Sequence, residues 1–110
     1  MGGRSSKIKG ANAENEVSKI FNEALGTDLH RKLGQARDGA DDLQIGHYRI
    51  EIKRRETLAM DQWCHQVEEC CGEGDIPVVV YRRSREPWRV TISLDEFLRL
   101  IKPNLNLELK

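Results

Sequence analysis

The segment GADDLQIGHYRIEIKRRE, residues 39–56, holds two carboxylates and an amine whose spacing can be converted into geometry. Gly46-His47 fits a two-residue hairpin turn, with glycine first, as a type II′ turn requires. Counting outward pairs Ile45 with Tyr48, Gln44 with Arg49, Leu43 with Ile50 and Asp42 with Glu51. Side chains alternate along a strand, so Asp42, Glu51 and Lys53 share one face while Leu43, Ile50 and Ile52 take the other. Asp41 then falls opposite Ile52, on the wrong side, although a longer turn would exchange the two aspartates.

Two carboxylates facing each other across a ladder repel. A divalent cation between them turns that cost into a site. Magnesium is commonly held by one or two carboxylates, keeps several waters and completes its octahedron with phosphate oxygens. It lowers the pKa of a bound water and offsets charge on a scissile phosphate. Lys53, on the same face, can orient the water or neutralise developing charge. A solvated strand face, with acids and bases both turned to water, is the plain alternative.

Glu14 carries a related signal. At about 100° per residue it falls within the apolar arc of its helix, beside Val17 and Phe21, whereas Glu16 falls outside. An acid aimed at a sheet is costly unless something cationic receives it. Alternatively it is a boundary glutamate that reaches solvent or favours the helix N-terminus.

The elements that must position these residues follow from periodicity. GANAENEVSKIFNEALG has Ala13, Val17, Ile20, Phe21, Ala24 and Leu25 at helical spacing, and Gly26 supplies a stop. A short strand is expected around 29–33, then a glycine-punctuated loop, GQARDGA. A second helix is expected from Leu58 to Cys71, with Met60, Trp63, Cys64, Val67 and Cys71 on its apolar face. IPVVVY is a nearly continuous apolar run, as in a strand covered on both faces. WRVTIS alternates as a further strand. Ser93 and Glu96 form a capping box for a last helix, which Pro103 should end. The tail from 104 to 110 reads as frayed or a small edge strand. One domain spanning 1–110 is expected, a mixed β-sheet flanked by helices in an α/β fold, with a basic N-terminal arm at 1–9.

Composition narrows the class. At 110 residues, 38% hydrophobic and 33% charged, the chain reads as a polar globular domain, with no apolar run long enough for a membrane. The basic start MGGRSSKIKG lacks the apolar core of a secretory signal. Cys64, Cys70 and Cys71 fit neither a disulfide framework nor paired zinc knuckles, so free thiols in a reducing cytoplasm are expected. His30 and His47 form no acid-base pattern, and His65 points away from the face carrying Cys64 and Cys71. Trp63 and Trp88 read as core or interface residues, though Trp88, beside Arg85 and Arg89, could touch DNA. Net charge is zero, yet the signs are segregated: six acids and no lysine or arginine lie between Glu56 and Asp75. Arg4, Lys7 and Lys9 on the arm, with Arg54 and Arg55 after the catalytic strand, offer phosphate contacts but no base-reading element.

KGANAENEV, RDGADDL, IEIKRRE and WCHQ together resemble the PD-(D/E)xK nuclease superfamily, in particular the small archaeal-type and phage Holliday junction resolvases. The resemblance covers roughly residues 7–92. It matches Gly10 and Glu14 to the Gly-x-x-x-Glu that opens the first helix, and Asp42 to the aspartate of the PD element. Glu51 and Lys53 match Glu-x-Lys, and Gln66 matches a supporting glutamine in the next helix. Asp41 stands where the family has proline, leaving a second possible metal ligand. The resemblance implies a restriction-endonuclease-like core, Mg²⁺ or Mn²⁺ held by Asp42, Glu51 and Glu14, cleavage of branched double-stranded DNA, and a homodimer in a bacterial or phage-infected cytoplasm. Dimerisation also fits physically, since one small domain cannot cut two strands symmetrically. Other readings are a flap or nicking nuclease of the same superfamily, and a catalytically silent DNA-binding protein of the same fold.

Overall fold

The computed structural model describes residues 2–30 and 42–105, and for residues 2–11 the backbone alone. The first helix, α1, runs Gly2–Leu25. It begins well before Gly10, so the segment expected to be an arm is helical backbone. Gly26 ends it with φ of +69°, and its amide bonds the Asn22 carbonyl at 2.9 Å. Asn22 then fixes the exit, accepting from the Leu29 amide at 2.7 Å and donating to its carbonyl at 2.9 Å. Leu29 and His30 are irregular rather than strand. The remainder of the expected 29–33 strand, the GQARDGA loop and Asp41 lie outside the described residues.

The hairpin of β1 (Leu43–Ile45) and β2 (Tyr48–Arg54) has three of the pairs counted from the sequence, Ile45 with Tyr48, Gln44 with Arg49 and Leu43 with Ile50, and stops short of the fourth, Asp42 with Glu51. Gly46 has φ of +57°, whereas His47 is not among the described residues with positive φ, which selects a type II′ turn over type I′. The chain crosses through α2 (Met60–Glu68) to β3 (Ile76–Arg82), parallel to β2, and returns in β4 (Arg89–Thr91), antiparallel to β3. Sheet order is β1-β2-β3-β4. Helix α2 is shorter than expected at both ends. Cys70 and Cys71 donate to the carbonyls of Val67 and Glu68, three residues back, so its last turn tightens out of α geometry.

The sheet is covered differently on its two faces. On one, Ala13 and Val17 of α1 pack on Leu43, Ile50, Ile52, Val78 and Val80. On the other, Trp63 and Val67 of α2 pack on Val79, with Tyr81 partly buried beside them. At the start of the parallel pair, Asp75 receives Arg49 Nη1 at 3.0 Å and the Gly72 amide at 2.8 Å, which together hold its carboxyl below the usual range.

Helix α3 (Leu94–Asn104) opens with Ser93, whose hydroxyl accepts the Glu96 amide at 3.2 Å. Pro103 sits inside its last turn rather than ending it. A proline there removes only a late amide, and the Leu105 amide closes the helix on Ile101 at 3.0 Å. No residue of α3 is buried, and residues 106–110 lie outside the description. Among the described residues, no helix is long and apolar enough to cross a membrane.

Candidate functional site

The short strand β1 is preceded by Asp42, whose amide bonds the Ile50 carbonyl at 2.7 Å. That bond is one residue out of step with the Leu43–Ile50 pair, so Asp42 is a bend ahead of the ladder. The Asp42–Glu51 pairing counted from the turn is therefore not part of the observed register. The Asp42 side chain is also fixed: Oδ2 accepts from the Ile52 amide at 2.7 Å. Both acids are buried, with 8% and 4% of their surface exposed. Lys53, two residues along the same face, reaches Glu51 Oε2 at 3.0 Å. Glu14 approaches from α1, near enough for its charge and a side-chain hydrogen bond to act on the Asp42 carboxyl. Glu51 and Glu14 therefore both bear on Asp42, and Glu51 in turn holds Lys53.

The consequence appears in the Asp42 carboxyl, which is pushed up to about 8. Burial is the largest cause, followed by the Glu51 charge; the Ile52 amide pulls the other way, and Glu14 raises it further through charge and hydrogen bond. A proton at Asp42 offsets charge that a cation could offset instead. Among the described residues, no group of three or more histidine, cysteine, aspartate or glutamate side chains is arranged to hold a metal ion. Magnesium does not require such a cage, because one or two carboxylates with waters and phosphate suffice. The buried Asp42–Glu51 pair, hard oxygen donors with excess negative charge, fits that ion.

Gln66 is half-buried on α2, over the same sheet face as Glu51 and Lys53, and its side chain makes no hydrogen bond among the described residues. Cys64 and Glu68 lie beside Thr91 and Ile92. Gln66, about 200° around the helix from Cys64, is thus on the β2 flank.

Arg54 is half-buried at the end of β2, and Arg55 is exposed, its Nη1 donating to the Arg54 carbonyl at 3.1 Å. The side chains of Arg4, Lys7 and Lys9 lie outside the description. The cysteines are free and half-buried, with the Cys64 thiol pushed up chiefly by burial. His65 pairs with Glu68 at 3.4 Å on the exposed side of α2, away from any thiol cluster.

Sequence patterning missed one group. Glu16 joins Arg82 Nη2 at 3.4 Å and accepts from Trp88 Nε1 at 3.0 Å. The Arg82 guanidinium lies 4.9 Å from the Trp88 ring centre. These bonds pull the Glu16 carboxyl below its usual value, the Trp88 indole contributing most. The available signal was the basic stretch from Arg82 to Arg89 around Trp88, which says nothing of Glu16.

A family model described as "Phage putative PDDEXK endonuclease" matches residues 5–107. No curated protein and no solved structure matches the chain significantly.

Proposed function

The chain belongs to the phage PDDEXK endonuclease family whose model it matches, and on that premise we propose that it is a metal-dependent, structure-selective DNA endonuclease. The specific reading is a Holliday junction resolvase that hydrolyses phosphodiesters near branch points. The observation that carries the nuclease reading is the pair of buried acids Asp42 and Glu51, with Glu14 bearing on Asp42 and Lys53 held by Glu51. Asp42 and Glu51, with Glu14 behind Asp42, would hold Mg²⁺ or Mn²⁺, which supplies Lewis acidity and a more acidic water when bound. Lys53 is tethered by Glu51, so its ammonium is placed to orient the attacking water or to offset charge gathering on the phosphate. The proton held by Asp42 must leave for both acids to act as ligands. Gln66, from the β2 flank of α2, would support the same centre.

DNA contacts are assigned to Arg4, Lys7, Lys9, Arg54 and Arg55. They contact phosphate rather than bases, so recognition follows shape and charge. We further assign the active species as a homodimer in the cytoplasm. Supporting this is an apolar groove of about 720 Å³ on the α1 side of the sheet, bordered by Phe21, Leu25, Val90, Ile92 and Leu100. It adjoins α3, whose Phe97 and Leu98 are also exposed.

A competition titration and cleavage assay across linear duplex, flap and four-way substrates tests the specificity. Tighter binding to the four-way junction, with paired cuts near the branch, is expected. Equal affinity for junction and duplex would reject the resolvase reading. Preference for flaps would favour a replication-repair nuclease, and binding without cutting in Mg²⁺ or Mn²⁺ would favour a silent DNA-binding protein.

A further inference from the structure

The sheet carries a second like-charge pair, of opposite sign, at the far end of β2 from the turn. Arg54 and Arg82 are register partners on the parallel strands β2 and β3, on the face covered by α1. Neighbouring strands are about 4.8 Å apart, so two guanidinium stems stand side by side. Both Nε atoms are buried without a hydrogen-bond partner among the described residues. A single carboxylate, Glu16, bonds Arg82 and lies within electrostatic reach of Arg54. Two cations share one anion.

The donors around Glu16 are those an oxyanion of a phosphodiester would use. Arg82 Nη2 and the Trp88 indole N–H both point at its carboxylate, and the Arg82 guanidinium is braced over the Trp88 ring. Guanidinium groups suit phosphate because their planar donors match its oxygens. Arg54 is three residues beyond Glu51, about 10 Å along the strand.

We propose that Arg54, Arg82 and Trp88 form a second phosphate subsite, which Glu16 fills in the free protein and surrenders to the backbone of a nucleic-acid strand. The subsite rests on the nuclease reading for the strand it would grip, but not for its own chemistry. Glu16 acts as a tethered competitor: it keeps the arginines ordered, and it weakens binding by the charge that must be displaced.

The test is a titration of fluorescent duplex DNA with the full chain in EDTA, repeated across a salt series. Arg54→Gln and Arg82→Gln are expected to weaken binding several-fold. Each should make the dependence of log affinity on log salt shallower by about 0.9, one phosphate contact each. Glu16→Gln should bind at least about threefold more tightly, by loss of the competing charge. Arg54→Lys keeps the charge and should keep the slope, which separates loss of the contact from loss of the fold. Thermal unfolding of each variant is recorded in parallel. Unchanged slopes in both glutamine variants would overturn the subsite. So would weaker binding by Glu16→Gln at an unchanged slope, because Glu16 would then serve only to fasten α1 to β3. Cleavage by the wild type in Mg²⁺, measured on the same preparations, keeps the two ideas apart. Altered slopes without cleavage would retain the subsite and fail the nuclease reading; cleavage with unaltered slopes would do the reverse.

Discussion

Asp42 holds a proton because burial and its acidic neighbours disfavour a second charge, and the same neighbours would share a cation with it. This has a consequence for stability. The carboxyl has an ordinary value of 3.8 and is raised to about 8 in the folded chain. The native state therefore binds more protons than the unfolded state between those values, and stability must fall as pH rises through that window. In EDTA, Asp42 should make its full contribution below about pH 4 and lose it by about pH 8, and Asp42→Asn should remove that part of the slope. Mg²⁺ should raise the unfolding temperature more at pH 8 than at pH 6, since a bound metal displaces the proton. Thermal unfolding across pH, with and without Mg²⁺, measures both effects. A wild-type unfolding temperature that rises over the window by more than that of Asp42→Asn would contradict the assignment. At this scale, Glu51 and Lys53 were legible because a two-residue turn and a period of two fix their face; Asp42 was reached by the same count, but its amide bonds one residue out of that register. Glu14 was legible from the helical arc. Glu16, Arg82 and Trp88 were not, because their contacts span 66 and 72 residues and no local pattern reports them.

Among the elements, the hairpin carries the site. A slip of one residue would turn Glu51 and Lys53 to the α1 face and bring Ile52 to the acid side. Gly46 guards against that slip through its positive φ, not through crowding, since a Cβ there would meet nothing within 4 Å. Gly46→Ala should therefore destabilise the fold by about 1–2 kcal/mol, the cost of left-handed backbone, measured by denaturant unfolding. Cleavage per folded molecule should be retained if the register survives, and lost if it slips; an unchanged stability would mean the turn is not strained by a side chain. The hairpin, β3 and the Ser93 cap were readable because each has a strong local signature. The start of α1 was not: Gly2, Gly3 and Gly10 are poor helix formers, and their own preferences argue against a helix there. The end of α3 was misjudged because Pro103 forfeits one late amide bond, yet the helix still closes beyond it through the Leu105 amide on Ile101.

For the whole molecule, the two sheet faces divide the labour. The α2 face carries Glu51 and Lys53 beside a compact core, while the α1 face ends in an open apolar groove near α3. Leu100, at the groove, is 46% exposed, an unusual cost for a helix that buries none of its own residues. If a second copy covers this surface, Leu100→Glu should convert dimers to monomers in sedimentation velocity while leaving thermal unfolding of the monomer little changed. A wild-type chain that stays monomeric at tens of micromolar would remove the dimer from the account. Loss of dimers should also uncouple paired cuts at a junction into single nicks, because each subunit supplies one acid cluster.

The most direct test of the central claim is single-turnover cleavage of a labelled four-way junction by wild type and Glu51→Ala, in Mg²⁺ and in excess EDTA. Glu51 is the buried acid whose charge acts on Asp42 and which tethers Lys53, so its removal takes away a proposed metal ligand and the anchor of the amine together. The expected result is cleavage by wild type in Mg²⁺, none in EDTA, and a loss of at least about a thousandfold in Glu51→Ala, on the scale of a lost charge-stabilising group, with junction binding preserved. Cleavage by Glu51→Ala at the wild-type rate, or undiminished cleavage in EDTA, would contradict it.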